Sequence, residues 1–572
     1  MILDPVTRIE GHMGVHIVVD TDERRVVEAH SYATMFRGFE IILKGRDPAD
    51  AVFITPRICG VCSVPHALAS AMACDMALKA SPPPLAVELR NLAYIAEMIY
   101  DNAIHLFQLA GPDYSEKILS KFNREWLEKA RDFTCENSDW HGKQTVLELV
   151  KGLNPFTGDL YVYALKMERE ARKLAALIGA KHPHVNTFVP GGVSRTWRVN
   201  EAIRALSILS SLMGLAKLTV KVWEDLSRFL YGLGYSEAGS WHTNLLCYGA
   251  IEDSRVYNAE YSEMDDWSIK RVFTPGVVVN GELVTTSLKE INLGVREYCS
   301  HSFYSKWRGE FNVDPEGNAL SPYHEWNKET IVDAKPKDFN GKYSWGYAPR
   351  WEGRNGEYAL EAGPIARLYV SALAGKSKFE NKFSSFKSGN REITVELPET
   401  RSEEVPSSLR SEATLKWSVP ERVNVIERLK ARAFNLACYA AAGLEVITRI
   451  MELLRRGETA LWREFERPGF SMGVGLVEAS RGALGHWIVV KNGVIHRYQV
   501  VTPTCWNISP MDDKGVKGPL EQALEGTPIT EDHGEPEEWV GLDPMRVVRS
   551  YDPCLACSVH AHFKGVKVVK IG

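Results

Sequence analysis

Apolar residues recur every three or four positions along four long stretches of this 572-residue chain. The clearest stretch runs from 85 to 109, where leucine, isoleucine and alanine mark one face. Similar periodicity covers about 160–179, about 201–232 and about 420–455, and Asn200 is the expected N-cap of the third stretch. Such spacing is typical of amphipathic helices. Four long helices with small residues on their faces predict a helical bundle at the core of the fold.

Alternating apolar and polar residues predict strands around this helical core. Residues 15–19 and 25–29 alternate on either side of a polar turn, which predicts an antiparallel hairpin. Asn-Gly pairs at 280–281 and 492–493 lie beside apolar runs and predict two more hairpins. The stretch 375–412 is polar and is expected to be a surface excursion. The expected fold class is therefore α+β, mainly helical, with a long-helix bundle core, peripheral antiparallel β-hairpins and small sheets.

The composition is that of a globular protein, with 45% apolar and 25% charged residues. A net charge of −5 gives no basic field, so the composition does not favour nucleic-acid binding. We see no signal-peptide pattern and no apolar run as long as a membrane span. We expect one large domain over 1–560, with an insertion-rich middle at about 235–412. A cytoplasmic location, or attachment to a membrane through a partner, is expected.

Ten cysteines are too few for a disulfide scaffold, but four of them form two Cys-x-x-Cys pairs at opposite ends of the chain. Cys59 and Cys62 precede a strong helix former, whose N-terminus favours thiolate over thiol. Cys554 and Cys557 lie near the C-terminus. Four thiolates suit a redox-active metal centre. Structural zinc remains an alternative, although zinc pairs usually lie within about 20 residues of each other. An iron–sulfur cluster is another, although the usual close cysteine run is absent.

The motifs around these cysteines carry a resemblance. They are, in chain order, DPVTRIEGH at 4–12, FRGFE at 36–40, RICGVC at 57–62, PGGV at 190–193, EAGPIAR at 361–367, RGALGHW at 481–487, PTCWN at 503–507 and DPCLACSVH at 552–560. Together they resemble the large, catalytic subunit of nickel–iron hydrogenases over nearly the whole chain. The resemblance implies reversible heterolytic splitting of H₂. A relative that keeps the fold without the metal, such as the quinone-site subunit of respiratory complex I, would lack the cysteines, and all four are present.

The resemblance implies a nickel–iron centre whose iron carries CO and two cyanides. Cys59 and Cys554 would be terminal nickel ligands, and Cys62 and Cys557 would bridge to iron. Thiolate sulfur is a soft ligand that suits both metals. The Cys554 thiolate would accept the first proton and Glu10 would carry it onward. For that role we expect a buried carboxyl with a raised pKa within reach of Cys554, although an isolated Glu in this context is more often a surface or ion-paired residue.

The resemblance also implies polar groups around the metals. Arg481 would lie above their open face and donate to one cyanide, held in place by Asp113 and Asp552. Asp113 could equally be an ordinary helix-end charge. Ser480 replaces the Pro of many family members, so packing near that cyanide would differ. Thr504 would donate to the other cyanide, because buried acceptors need donors.

A second metal site is implied near the C-terminus. Glu40, His560 and the main-chain carbonyl of Val500 resemble the ligands of a Mg²⁺ ion, or of Fe²⁺ in some relatives. Oxygen-rich coordination suits Mg²⁺. His66, four residues after Cys62, would hydrogen-bond near a bridging sulfur, or would be a core histidine.

The chain continues after His560 with a short basic tail, 561–572. By resemblance this tail is removed by a maturation endopeptidase once nickel-insertion proteins have acted; a permanent C-terminal strand is the alternative. Beyond the four ligands, no cysteine run is left to hold an iron–sulfur cluster in this chain. The resemblance therefore implies an iron–sulfur small subunit that receives the electrons, in a heterodimer or a dimer of heterodimers.

Overall fold

The structure is a computed structural model that describes residues 1–307, 309–532, 535 and 538–555. The α-helices of this part are, in chain order, α1 Phe39–Leu43, α2 Pro48–Ile54, α3 Ser63–Ala77, α4 Pro84–Ile104, α5 Glu116–Phe122, α6 Arg124–Asp132, α7 Ser138–His141, α8 Val146–Gly152, α9 Asp159–Gly179, α10 Val199–Gly232, α11 Met264–Ser268, α12 Leu288–Leu293, α13 Pro364–Ala374, α14 Val425–Arg455, α15 Pro503–Asn507, α16 Pro519–Leu524 and α17 Leu542–Tyr551. The strands are β1 Ile2–Leu3, β2 Met13–Asp20, β3 Arg25–Ala33, β4 Phe188–Val189, β5 Gly192–Val193, β6 Leu245–Cys247, β7 Gly276–Val279, β8 Glu282–Thr285, β9 Val295–Tyr298, β10 Ala348–Gly353, β11 Gly356–Tyr358, β12 Glu361–Ala362, β13 Lys378–Glu380, β14 Ser385–Gly389, β15 Glu392–Leu397, β16 Ala413–Ser418, β17 Phe470–Ala479, β18 Gly482–Lys491 and β19 Val494–Val501.

The four stretches with helical periodicity form the long helices α4, α9, α10 and α14. Helix α4 packs against α9 and α14, and α10 packs against the same two helices. Helix α4 continues into a π-helical turn at His105–Leu109, so together they cover the predicted stretch. The N-cap of α10 is Arg198 rather than Asn200. The Glu201 side chain accepts the backbone N–H of Arg198 at 3.1 Å, which starts the helix before Asn200.

Helix α10 is the one described helix whose length and composition would allow it to cross a membrane. Within its most apolar 18-residue window, 72% is buried inside the protein. Its packing against α9 and α14 accounts for that burial. The apolar character of α10 therefore has an explanation in the core, where a helix buried on most sides needs apolar residues all round.

The sheets are small, which confirms the α+β class. Within the described residues there are three sheets of three strands, two of four and one of two. The three predicted hairpins form as β2–β3, β7–β8 and β18–β19. The turn residues Asn280 and Gly281 both have positive φ, as do Asn492 and Gly493. Positive φ at both central residues is what a tight hairpin turn requires, and Asn-Gly adopts it readily.

The stretch 375–412, predicted to be a surface excursion, contains strands that its composition did not predict. This stretch supplies β13, β14 and β15, which with β16 form a four-stranded antiparallel sheet. Alternate residues of β15, namely Ile393, Val395 and Leu397, are buried, and the sheet packs on α13 and α14. The other face of β15 carries polar residues, which conceal the alternation when only composition is considered.

Helix α3 begins directly after Cys62 and lies on β17. Two glycines of β17 permit this approach. A Cβ at Gly475 would lie 1.9 Å from the carbonyl oxygen of Ala69, and one at Gly473 would lie 2.1 Å from that of Ala73. The position of Cys62 therefore depends on two residues without side chains in a strand more than 400 residues away.

We expect Gly475→Ala to push α3 away from the sheet. Overpacking of this kind typically costs about 1–3 kcal/mol of stability. Thermal unfolding should show a lower midpoint for Gly475→Ala than for the unsubstituted protein. Gly469→Ala is the matched control, because a Cβ there meets nothing within 4 Å. Equal midpoints for the two variants would contradict this account of the helix–sheet contact.

Candidate metal centre

Three thiols from the two ends of the chain meet in the core. Cys59 follows a 3₁₀ turn, Cys62 is the N-cap of α3 and Cys554 follows α17. The Sγ atoms of Cys59 and Cys554 are 3.3 Å apart, and the three sulfurs all lie within 4.8 Å of one another. All three cysteines are buried. Cys557, the fourth predicted ligand, lies outside the described residues.

Backbone pairing holds the C-terminal thiol in place. The N–H of Glu10 donates to the carbonyl of Pro553 at 3.3 Å, and the N–H of Leu555 donates to the carbonyl of Glu10 at 2.8 Å. The N–H of Cys554 donates to the Thr504 hydroxyl oxygen at 3.0 Å. The Thr504 hydroxyl oxygen therefore accepts from Cys554 and orients it, and the hydroxyl hydrogen of Thr504 can still be donated to another group.

Hydrogen-bond donors surround the N-terminal thiols. The N–H groups of Val61 and Cys62 point at the Cys59 sulfur, at 3.2 and 3.3 Å. Cys62 itself lies at the N-terminus of α3, the positive end of the helix dipole. Both features favour the thiolate, which is the form that binds a metal.

Glu10 lies against the C-terminal thiol. The Cys554 Sγ donates to Glu10 Oε2 at 3.1 Å, within the range for proton transfer between heavy atoms. The Glu10 side chain is partly exposed, not buried as expected. This position connects the buried thiol with the molecular surface.

Arg481 occupies the turn between β17 and β18, and its guanidinium lies between two buried carboxylates. Its Nη1 donates to Asp101 Oδ2 at 3.0 Å, and its Nη2 donates to Asp552 Oδ1 at 3.0 Å. Burial raises the pKa of Asp101 to about 6, against the opposing effect of Arg481. Burial acts on Asp552 in the same direction, but Arg481, His105 and Arg432 hold the pKa of that carboxyl below its usual range. The negative charge of Asp552 therefore persists to lower pH than that of Asp101.

The prediction that Asp113 holds Arg481 is wrong. Asp113 accepts two hydrogen bonds of 2.8 Å from Arg549 and forms an ion pair with Arg8. Asp101, on α4, takes the place beside Arg481. Sequence reasoning missed Asp101, although a signal was available. An acid inside a helix that is buried nearly all round needs a buried partner.

Two further groups complete the network, and sequence reasoning did not find them. Arg432 of α14 lies 3.1 Å from Asp552 Oδ2, and His105 Nδ1 lies 3.1 Å from Asp552 Oδ1. Burial lowers the pKa of His105 to about 4, so the ring is neutral near pH 7. The two guanidiniums of Arg432 and Arg481 therefore balance the carboxylates of Asp101 and Asp552.

The EAGPIAR motif fixes the turn that carries Arg481. Arg367 donates to Glu478 Oε2 at 3.0 Å and to the Ala479 carbonyl at 2.6 Å. Ser480 is fully buried in the same turn, with its hydroxyl 3.7 Å from a methionine sulfur of α4. A buried ion pair and a main-chain hydrogen bond thus restrain the backbone on the residues just before Arg481.

His66 lies on α3 one helical turn after Cys62. Its Nδ1 is 3.0 Å from His486 Nε2, and His486 Nδ1 is 2.8 Å from the Tyr498 hydroxyl. That hydroxyl donates to Ser70 at 2.9 Å, so it accepts from His486 Nδ1–H. His486 Nε2 is then an acceptor, and His66 carries its proton on Nδ1.

Glu40 and Val500 lie in a second polar region. Helix α1 packs on β19, and the Glu40 side chain is buried. The Val500 carbonyl accepts a hydrogen bond from the Tyr347 hydroxyl. His560, the third predicted ligand, lies outside the described residues.

Three buried residues missed by sequence reasoning belong to the same region. Lys328 forms an ion pair with Glu297. Burial lowers the pKa of Lys328, but the negative charges of Glu297, Glu325 and Glu40 outweigh it and raise the pKa. Burial raises the pKa of Glu297 well above its usual value, and that of Glu325 as well. Three acidic side chains therefore lie around one buried ammonium group.

Comparison with known proteins identifies the family. A family model described as nickel-dependent hydrogenase matches residues 37–158 and 137–560, and a HoxL-like model matches residues 1–36. This chain belongs to the nickel-dependent hydrogenase family.

Relatives of this hydrogenase-family chain match it over nearly its full length. The uptake hydrogenase large subunit of Bradyrhizobium diazoefficiens is 30% identical over 98% of this chain and 95% of its own length. Among solved structures, the actinobacterial-type NiFe-hydrogenase from Ralstonia eutropha H16 superposes with a TM-score of 0.94 at 38% identity, covering 98% of this chain and 100% of that one. The Ni-Fe-Se hydrogenase from D. vulgaris Hildenborough superposes with a TM-score of 0.71 at 26% identity, covering 98% of this chain and 99% of that one.

For this hydrogenase-family chain we expect Asp101→Asn to weaken the hydrogen bond that positions Arg481 and to leave the thiols in place. A hydrogen bond to a charged group is worth about 1.5–3 kcal/mol, so the rate of H₂ oxidation should fall roughly tenfold or more. The measurement is the rate at saturating H₂, together with nickel content, which should not change. Asp139→Asn, at an exposed acid of α7, is the control. A normal rate for Asp101→Asn would mean that Asp552 alone suffices.

Proposed function

We propose that this chain is the catalytic subunit of a nickel–iron hydrogenase, which splits H₂ reversibly into protons and electrons. The observation that carries the proposal is the meeting of three buried thiols with a carboxyl at 3.1 Å from one of them. A soft-metal donor set beside a proton acceptor is the chemistry that heterolytic H₂ splitting needs.

The thiols fit a nickel–iron centre. Cys59, Cys62, Cys554 and Cys557 would hold it through their thiolates. The N–H groups that point at Cys59 and the helix N-terminus at Cys62 support thiolates in this position. When bound, the centre supplies the soft Lewis acid at which the H–H bond is polarised.

Two donors fit the diatomic ligands that we propose on the iron. Arg481 Nε is buried and has no hydrogen-bond partner among the described residues. The Thr504 hydroxyl hydrogen is not used by its contact with Cys554. Buried donors of this kind suit cyanide nitrogens, with Ser480 packed beside Arg481.

The side chains of this chain would move the proton. The Cys554 sulfur would take a proton released from H₂ and pass it to Glu10 Oε2, which lies 3.1 Å away. Glu10 is partly exposed, so it would pass the proton outward. The positive charge of Arg481, held between Asp101 and Asp552, would face the H₂ and assist its polarisation.

We propose a Mg²⁺ or Fe²⁺ ion as structural support near the C-terminus. Glu40, the Val500 carbonyl and His560 would hold it, and the buried acids Glu297 and Glu325 belong to the same region. The three acidic side chains around Lys328 support a divalent cation here, because carboxylate oxygens are ligands that Mg²⁺ prefers and a cation would favour their deprotonated form.

Electrons would leave through an iron–sulfur small subunit, in a heterodimer or a dimer of heterodimers. Several relatives are named large subunits or large chains, which implies such a partner. Gly60, the neighbour of Cys59 in the first thiol loop, is exposed, so this loop reaches the surface close to the thiols. Phe53 and Trp462, at 38% and 48% exposure, line an apolar hollow nearby. We propose that the small subunit covers this face and that any contact with a membrane comes through it.

We also propose that residues 1–560 act as one domain built on a four-helix bundle of α4, α9, α10 and α14. Buried apolar residues form one contiguous cluster from Val6 to Leu555, which supports a single core. The tail 561–572 would be removed by a maturation endopeptidase after nickel-insertion proteins have acted.

One preparation tests the centre and the tail. We expect the active enzyme to contain nickel, iron and magnesium (or extra iron), and to show infrared bands of CO and cyanide. Its intact mass should correspond to a chain that ends at residue 560. Zinc alone, without these bands, would favour a structural metalloprotein instead. A mass that includes residue 572 would contradict the removal of the tail.

We expect Glu10→Gln to abolish H/D exchange between H₂ and solvent, because glutamine cannot carry a proton from Cys554. Metal content and the infrared bands of the CO and cyanide should not change. Exchange at a near-normal rate in this variant would remove Glu10 from the proton path.

A further inference from the structure

We propose that Asp113, Arg549 and Arg8 form a clamp that positions Glu10 against Cys554. The proposal rests on the proposed role of Glu10 as proton carrier. Asp113 makes no described contact with the thiols or with Glu10, so it would act as a positioning residue through the two arginines.

Asp113 is a buried anion on which arginines converge. Its carboxylate accepts two hydrogen bonds of 2.8 Å from Arg549 Nη1 and pairs with Arg8. Its carbonyl accepts from Arg546 Nη2 at 2.9 Å. Burial alone would raise the pKa of Asp113, but the nearby guanidiniums lower it below its usual value. The Asp113 carboxyl at the centre of the clamp is therefore negatively charged near neutral pH.

The two arginines fix the backbone just before Glu10. Arg549 Nε donates to the Thr7 carbonyl at 3.0 Å, and its Nη2 donates to the Thr7 hydroxyl at 3.2 Å. Arg8 Nη1 donates to the Leu109 carbonyl at 2.6 Å. Arg8 has a φ of +58°, a left-handed conformation that is unfavourable for a residue with a side chain. The contacts of Thr7 and Arg8 hold the chain in this bend.

The clamp also connects both sides of the relay. Arg549 belongs to α17, which leads directly to Cys554. Glu10 pairs with the backbone on both sides of Cys554, and the clamp ties the segment before Glu10 to the helix before Cys554. The two segments are thus joined at two points. This double attachment fixes the separation of 3.1 Å between Glu10 Oε2 and Cys554 Sγ.

The test compares H₂ oxidation by the assembled enzyme in H₂O and in D₂O. A displacement of about 1 Å can cost roughly a hundredfold in rate. We expect Asp113→Asn to lower the rate between about tenfold and a hundredfold and to raise the solvent isotope effect, because proton transfer then limits turnover. Nickel content and the CO and cyanide bands should stay unchanged. A purely structural role would lower the amount of loaded enzyme and leave the isotope effect of the remainder unchanged.

If Asp113→Asn fails to fold, variants of Arg8 test the proposal instead. Arg8 is partly exposed, so its substitution disturbs the core less than that of the buried Asp113. Arg8→Met should raise the isotope effect, and Arg8→Lys, which keeps the charge, should raise it less. Asp139→Asn again serves as control. A folded Asp113→Asn with a normal rate and isotope effect overturns the proposal, as does equal behaviour of the two Arg8 variants. Normal exchange in Glu10→Gln is a separate result, which would refute the role of Glu10 itself.

Discussion

The site depends on the pairing of the two ends of the chain. Glu10 and the segment around Cys554 exchange backbone hydrogen bonds, and the same pairing brings sulfurs that are 495 residues apart to within 3.3 Å. Closing so long a loop costs conformational entropy, which only an extensive core can offset. The contiguous apolar cluster and the tight seat of α3 on β17 therefore serve the thiol geometry as well as stability.

Buried charge is the second constraint on this site. Arg481 and Arg432 face Asp101 and Asp552 in a region closed to water. An isolated charge in such a place would be very costly, but a balanced and hydrogen-bonded set is tolerated. Each member therefore fixes the orientation of the next. The same logic applies to Lys328, whose ammonium group lies among the buried acidic side chains of Glu297, Glu325 and Glu40.

The sequence allowed the local elements and the thiols to be predicted, because periodicity, Asn-Gly turns and ordered motifs are local signals. It did not allow the partner of each charge to be predicted. Asp101 lies in the last turn of α4 and Asp113 follows the π-helical turn after it; Asp101 pairs with Arg481, and Asp113 pairs with Arg549. That choice depends on how α4 meets helices far away in the sequence. Cluster residues such as Glu297 and Arg432 had no motif to mark them.

The order of the thiols along the chain has a consequence for biosynthesis. Cys59 and Cys62 are translated early, whereas Cys554 follows about 490 residues later. At about 5–20 residues per second, the ribosome needs roughly half a minute to a minute and a half to reach it. These three thiols cannot meet before Cys554 has been translated. A metal that needs thiols from both segments can therefore bind only after the segment with Cys554 has been made, and until then the thiols of Cys59 and Cys62 lack that partner.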